Sequence, residues 1–160
     1  MKRPLSILAL MTCTVLVGGC ALTSPTYDEV RAETDEVLTR VADLVPDPKD
    51  IAPNDDFEPY PCDDPLILGT GRGSFYTGQW LIFVDDSFDI PAFVATFPRA
   101  LGDGWQEKDL GIDVSFAQVY MVHDSPHMSL SVEETVVDGR KAVELLAISR
   151  CGVLPDGATS

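Results

Sequence analysis

The amino-acid sequence predicts an α+β domain in which an N-terminal amphipathic helix precedes a β-α-β-β-β unit. Two observations lead to this fold class: apolar residues recur at helical spacing in two segments, and apolar and polar residues alternate in several others. We expect the four strands to form a mostly antiparallel sheet with the helices packed on it. The expected organisation is a signal peptide (1–19), a tether (20–26), a helix (27–45), a connector (46–66), the α+β domain (67–154) and a polar tail (155–160).

The helix predicted at 27–45 begins with a capping box. The Thr26 hydroxyl can accept a hydrogen bond from the backbone N–H of Glu29, whose carboxylate reaches back. An apolar stripe follows at spacings of three and four residues: Tyr27, Val30, Thr34, Val37, Val41 and Leu44. Pro46 ends the helix. Because the stripe is short for a coiled coil, we expect it to pack on its own domain.

Proline and acidic residues dominate segment 46–66, which predicts an extended connector fixed by Cys62 and no core element. Asn54-Asp55-Asp56 suggests a calcium site as an alternative. The cluster lacks both the alternating order and the distal glutamate of a calcium loop, so we predict no metal there.

Glycine is concentrated in Gly69-Thr70-Gly71-Arg72-Gly73. A phosphate-binding loop must open a helix, but this segment leads into 75–84, which is aromatic and β-branched and predicts a strand. We therefore expect a strand entry and no nucleotide site. Both faces of that strand carry large apolar side chains: Trp80, Ile82 and Val84 on one, Leu81 and Phe83 on the other. We predict a central strand covered on both sides.

A second helix is predicted after Asp85-Asp86, with Asp89 as N-cap, Pro91 in the first turn and Gly102 just beyond the end. Its apolar stripe comprises Ile90, Phe93, Val94, Phe97 and Leu101.

Three more strands are predicted at 112–122, 128–137 and 142–150. A loop at His123–His127 joins the first two. Asp138-Gly139 joins the last two and favours a type I′ turn.

The first twenty residues predict export. Lys2 and Arg3 precede an apolar run that is too short to span a bilayer, and the run closes at Gly18-Gly19-Cys20. These residues resemble the lipobox of bacterial lipoprotein signals. The resemblance implies cleavage between Gly19 and Cys20, a diacylglycerol thioether on Cys20, and attachment through acyl chains to the outer face of the cytoplasmic membrane. An ordinary secreted protein is the alternative.

The charge of the chain excludes several partners. Removing Lys2 and Arg3 from the 11 basic residues leaves 9 against 26 acidic ones, a net charge of −17. This balance argues against nucleic acid as a partner, because binding it depends on Lys and Arg. It also argues against electrostatic docking on anionic lipid. Solubility accounts for the acidity, with a site for a cation or a basic partner as the alternative.

Cysteine usage predicts one disulfide. Cys13 leaves with the signal and Cys20 takes the lipid, so Cys62 and Cys151 remain and should pair in an oxidising compartment. A loop of about 90 residues closed in this way contributes up to 4–5 kcal/mol in the chain-entropy model. A redox-active pair, which would need closer spacing, is the alternative.

Few residues suggest catalysis. His123 and His127 could hold a metal or supply a base, but Pro126 between them removes the helical geometry that would align them, so we expect a surface turn. Asp85 and Asp86 could do acid–base work, although paired acids after a strand more often begin a helix. We predict no catalytic residue, metal or cofactor.

The mature part of the chain resembles the small acidic lipoproteins of actinobacteria, similar in plan to the mycobacterial LppA-like group. The match rests on the lipobox, the connector, 101–105 (LGDGW) and 149–152 (SRCG). It implies an envelope protein with no catalytic residues to carry over. We expect a non-enzymatic binding or accessory module with an envelope protein as partner. The alternatives are a small hydrolase or metal-dependent enzyme and an immunity or superinfection-exclusion lipoprotein.

Overall fold

The computed structural model describes residues 24–54, 57–62 and 73–155. The predicted signal peptide, Cys20, Asp55-Asp56, most of the glycine-rich segment and the tail beyond Pro155 lie outside these ranges. The described elements are α1 (Tyr27–Leu44), β1 (Lys49–Asn54), β2 (Tyr60–Pro61), β3 (Ser74–Phe75), β4 (Thr77–Val84), α2 (Ile90–Ala100), β5 (Trp105–Glu107), β6 (Gln118–Asp124), β7 (His127–Val137) and β8 (Arg140–Ile148).

Six of these strands form one sheet in the order β1-β4-β8-β7-β6-β5, and every neighbouring pair is antiparallel. Strands β2 and β3 form a separate antiparallel pair. The α+β fold with a mostly antiparallel sheet is therefore confirmed. The predicted number of four strands is wrong, because the sheet has an additional strand at each edge.

The edge strand β1 lies in the segment that we predicted to be a connector. It pairs with β4 from Lys49 opposite Val84 to Asn54 opposite Gln79, and five of its six residues are exposed. Pro53 cannot donate a hydrogen bond to the sheet, which is tolerated on an edge strand. An exposed edge strand needs no apolar residues, so the hydrophobic pattern does not reveal it.

The opposite edge strand, β5, also lies outside the predicted strands. Its three residues pair with β6 from Trp105 opposite His123 to Glu107 opposite Met121. Strand β6 begins at Gln118 and not at Ile112 as predicted, because 108–117 lies outside the sheet.

The β7–β8 hairpin follows the prediction closely. Val137 pairs with Arg140, and the two residues between them both have positive φ, 52° for Asp138 and 79° for Gly139. These are the backbone angles of the predicted type I′ turn.

Both helices begin and end as the sequence indicates, to within a residue. The Glu29 N–H donates to the Thr26 hydroxyl at 3.2 Å and the Thr26 N–H donates to the Glu29 carboxylate at 2.7 Å, which confirms the capping box. In α2 the Asp89 carboxylate accepts from the Ala92 N–H at 2.9 Å, and Gly102 has φ of 93°. Neither described helix combines the length and the apolar character that crossing a bilayer requires.

The core lies between the two helices and one face of the sheet. Its largest fully buried side chains include Leu38 of α1, Phe97 of α2, Ile82, Leu130 and Leu145. On the opposite face of β4, Leu81 and Phe83 stay partly exposed. The prediction that β4 is covered on both sides is therefore met on one side only.

The disulfide joins Cys62 to Cys151, with Cα atoms 6.0 Å apart, and confirms the predicted pairing. Backbone hydrogen bonds join the same two segments: the Cys62 N–H donates to the Gly73 carbonyl at 2.9 Å, and Ser74 and Gly152 exchange two bonds of 2.9 Å. Gly73 has φ of 126°, and a Cβ there would collide with the Gly152 carbonyl oxygen. Glycine is therefore required where the two segments cross.

The first described residues meet the last ones at the same place. The Tyr27 N–H donates to the Val153 carbonyl at 2.9 Å, and the Val153 N–H donates to the Pro25 carbonyl at 2.8 Å. We call the group formed by Pro25, Thr26, Cys151 and Val153 the terminal corner. It lies beyond the end of β8.

Candidate binding cleft

A cleft of about 230 Å³ lies between α1 and the part of the sheet where β6 turns into β7. Its walls are Glu33, Glu36, Val37 and Arg40 of α1, together with Trp105, His123, Pro126 and Met128. The helix positions recur at three and four residues, so they share one helix face. Long-range packing of α1 on the sheet brings this face against the turn.

His123 is held in the cleft wall by its neighbours. Its Nδ1 lies 3.1 Å from the Pro126 carbonyl oxygen, which can only accept, so Nδ1 is the donor of this hydrogen bond. The Trp105 ring meets the imidazole edge-on at a centroid distance of 5.2 Å. Gly104, with φ of 89°, lets the backbone approach Nε2 so closely that a Cβ would collide with it.

The rim of the cleft carries both signs of charge. Arg150 binds the Glu33 carboxylate through two nitrogens, at 2.6 and 3.1 Å, so Glu33 is occupied by this bidentate pair. Glu36 and Arg40 are exposed and lie one helical turn apart on α1. Within the described ranges, no ion pair involves either of them.

The floor of the cleft is apolar. Met128 is buried, and Trp105 and Val37 are partly buried against the core. An apolar floor beside a few fixed polar groups is the usual composition of a small-molecule site. The cleft is smaller than most such sites, and its size suits a compact ligand or one end of a larger one.

The structure separates the two histidines that the sequence singled out. His123 is the next-to-last residue of β6 and pairs with Met128. His127 is the first residue of β7 and pairs with Asp124. The predicted loop at His123–His127 is therefore wrong in its extent, because only two residues lie between the strands. Alternation places the two imidazoles on opposite faces of the sheet, so they do not share a ligand.

Asp85 and Asp86 lie elsewhere. The Asp85 carboxylate accepts from the Ser87 N–H at 2.9 Å and from its hydroxyl at 2.8 Å, and these bonds lower the pKa of Asp85. Asp85 borders a groove of about 570 Å³ together with Phe88 and Phe93, and Asp86 is not among the groove's lining residues. This groove does not include His123, so Asp85 and His123 line different cavities, and Asp86 lines neither of the two.

Across residues 24–54, 57–62 and 73–155, no three His, Cys, Asp or Glu side chains come together as a metal site requires. Sequence reasoning missed Glu36, Arg40 and Trp105. The spacing of Glu36 and Arg40 was their only signal, and it is common on exposed helix faces.

Comparison of the chain with known proteins gives no relative from which a site could be transferred. No family model, no curated protein and no solved structure matches it.

Proposed function

We propose that the chain is a lipid-anchored envelope protein that acts as a non-enzymatic binding or accessory module, with the α1 cleft as its ligand site. The anchor rests on the lipobox ending at Cys20, whose acyl chains would hold the protein at the outer face of the cytoplasmic membrane. The single observation that supports binding is the apolar floor of the cleft beside Glu36, Arg40 and His123.

The side chains of the cleft suit a small zwitterion with an apolar group. The Arg40 guanidinium is fitted to a carboxylate, and the Glu36 carboxylate to an ammonium group. Trp105 offers a flat apolar surface beside them. A free amino acid with an apolar side chain combines these features.

The partners of His123 favour binding over catalysis. A general base of the catalytic-triad type is oriented by a carboxylate that also stabilises the imidazolium. Here Nδ1 bonds to the neutral carbonyl of Pro126. The bond therefore positions the imidazole without placing a negatively charged group beside it.

Three probes test the cleft: phenylalanine, N-acetylphenylalanine and phenylalanine amide. The first carries both charges, the second only the carboxylate, and the third only the ammonium group. We expect the zwitterion to bind best, measured by Trp fluorescence and by NMR shifts of His123. Arg40→Ala should weaken binding of the carboxylate probes by roughly threefold to fivefold, which corresponds to about 0.7–1 kcal/mol.

Arg99→Ala is the matched control, since Arg99 is an exposed arginine on the other helix. Equal effects of Arg40→Ala and Arg99→Ala, or no response of His123 to any probe, would contradict the assignment of the cleft. The anchor is tested separately. Cys20→Ala should abolish labelling by fatty-acid analogues and move the protein out of the membrane fraction.

A further inference from the structure

The segment between β5 and β6 exposes a row of large apolar side chains. Every second residue is apolar, and the exposed fractions are 46% for Leu110, 72% for Ile112, 41% for Val114 and 42% for Phe116. Single exposed apolar residues are common, but a contiguous row on one segment typically marks an interaction site. We call residues 108–116 the apolar strip.

The strip is fixed at both ends. The Lys108 N–H donates to the Tyr120 carbonyl at 2.9 Å, and the Glu134 N–H donates to the carbonyl of Ala117, the next residue after the strip, at 2.8 Å. Inside the strip, the Asp109 carboxylate accepts from the Gly111 N–H at 2.7 Å. These bonds attach the two ends of the strip to the sheet and order its first turn.

Grooves flank the strip on two sides. One, of about 310 Å³, separates Phe116 from Pro91 and Ala95 of α2. The other, of about 270 Å³, lies between Ile112 and Tyr120. The strip therefore forms a ridge between two grooves, and an extended or helical segment of another protein can lie along it.

The charges around the strip identify the kind of partner. Glu107, Asp109 and Asp113 are exposed there, and the cation among them, Lys108, donates to the Gln106 side chain at 3.2 Å. A second copy of this chain would bring the same carboxylates together, and an anionic bilayer would repel them. A segment with basic and apolar side chains is complementary both to the carboxylates and to the apolar side chains of the strip.

We propose that the apolar strip is a docking surface for a basic amphipathic segment of a partner protein. Its apolar side chains would pack on the exposed apolar side chains of the strip, while its Lys or Arg side chains meet Glu107, Asp109 and Asp113. The strip shares no residue with the α1 cleft, so this proposal does not depend on the function proposed for the cleft.

An eight-residue peptide of alternating lysine and leucine is a suitable probe, with a peptide of alternating glutamate and leucine as its control. Binding to the full chain in non-ionic detergent is followed by fluorescence anisotropy at several salt concentrations. The variants are Ile112→Ser with Val114→Ser, Asp109→Asn with Asp113→Asn, and Val136→Ser. Val136 is the matched control, because it is 64% exposed but lies near the end of β7.

We expect the lysine peptide to bind the wild type and Val136→Ser equally and the glutamate peptide not to bind. The apolar double variant should bind at least about tenfold more weakly. The charge double variant should bind more weakly and lose most of its salt dependence. Circular dichroism melts of all variants check the fold, and the salt dependence of the wild type tests the charges without any substitution.

Equal affinity of the lysine peptide for all variants would overturn the proposal. Self-association that depends on Ile112, measured by sedimentation, would replace the partner protein with a second copy. Binding to phosphatidylcholine vesicles that depends on Ile112, without peptide binding, would replace it with the bilayer.

Discussion

Two glutamates that face each other in the sheet should lower the free energy of unfolding at neutral pH, because their negative charges repel. Glu133 of β7 pairs directly with Glu144 of β8. The Gln118 side chain donates to Glu133 at 2.7 Å, and the Gln79 side chain donates to Glu144. Burial, and then the charge of Glu144, raise the pKa of Glu133, while the bond from Gln118 partly offsets this.

We predict that Glu133→Gln stabilises the protein at pH 7. Like charges directly opposite in a sheet cost about 0.2–1 kcal/mol, and we expect the lower half of this range because the pair is partly solvated. For a chain of this size each kcal/mol changes the melting temperature by roughly 2–4 °C, so the gain should be about 1–2 °C. The Gln118 side chain can still donate to the new amide oxygen.

The pH dependence follows from the direction of the pKa shift. A carboxyl with a raised pKa in the folded state binds its proton more tightly there than in the unfolded chain. The contribution of Glu133 to the stability of the wild type should therefore become more favourable as pH falls through its raised pKa, and the cost of ionising Glu133 should be complete above that pKa. Glu133→Gln should remove this contribution, so the two stability curves converge at acid pH.

Thermal melts between pH 4 and pH 8 measure this. Glu134→Gln is the control, because it removes the same charge from the next residue of β7, which faces Val143. If Glu133→Gln and Glu134→Gln stabilise the protein equally, the cause is the lower net charge and not the contact between Glu133 and Glu144. No stabilisation, or a gain that persists at acid pH, would refute the reasoning. Glu144→Gln should add little once Glu133 is replaced.

Three further predictions concern the fold and the cleft. Cys62→Ser should destabilise the oxidised protein by about 2–5 kcal/mol and leave Cys151 open to thiol labelling, whereas full stability in the variant would contradict the role of the disulfide. Thr26→Ala should cost about 0.5–2 kcal/mol in chemical unfolding, and an unchanged midpoint would show that the cap contributes nothing. Gly104→Ala should cost about 1–3 kcal/mol and displace His123, seen as shifted imidazole NMR signals; unmoved signals would argue against the close approach.

The sequence predicted those parts of the fold whose signals are local. The capping box at Thr26, the cap at Asp89 and the Asp138-Gly139 turn each depend on a few adjacent residues, and all three are present. The disulfide was also predicted, because few cysteines remained to pair. The two helices followed from apolar stripes that are buried or partly buried, except for Leu44 at the end of α1, which is exposed.

The errors arise where local pattern and burial disagree. β1 is a strand although it is polar and contains Pro53, since an edge strand needs only backbone pairing on one side. The reverse holds for Ile112 and Val114, whose alternation is that of a strand but whose side chains are exposed outside the sheet. Pattern alone does not tell a buried alternating segment from one that is kept exposed.

The cleft could not be predicted because its walls are distant in sequence. Arg40 and His123 come together only through the packing of α1 on the sheet. In the sequence, Arg40 cannot be distinguished from other arginines on the exposed face of a helix. The surroundings that distinguish it are tertiary.

Given the anchor proposed at Cys20, the terminal corner would determine the orientation of the domain on the membrane. Backbone hydrogen bonds join Pro25 and Tyr27 to Val153. These bonds would restrict rotation of the domain about residues 25–27 in a chain anchored at Cys20. Five residue steps separate Cys20 from Pro25, a reach of roughly 17 Å when extended, so the corner would face the bilayer. Strands β6 and β8 run in the same direction, and β8 ends at this corner. The cleft beside the end of β6 would then open close to the lipid surface, while the apolar strip that precedes β6 would be presented farther out.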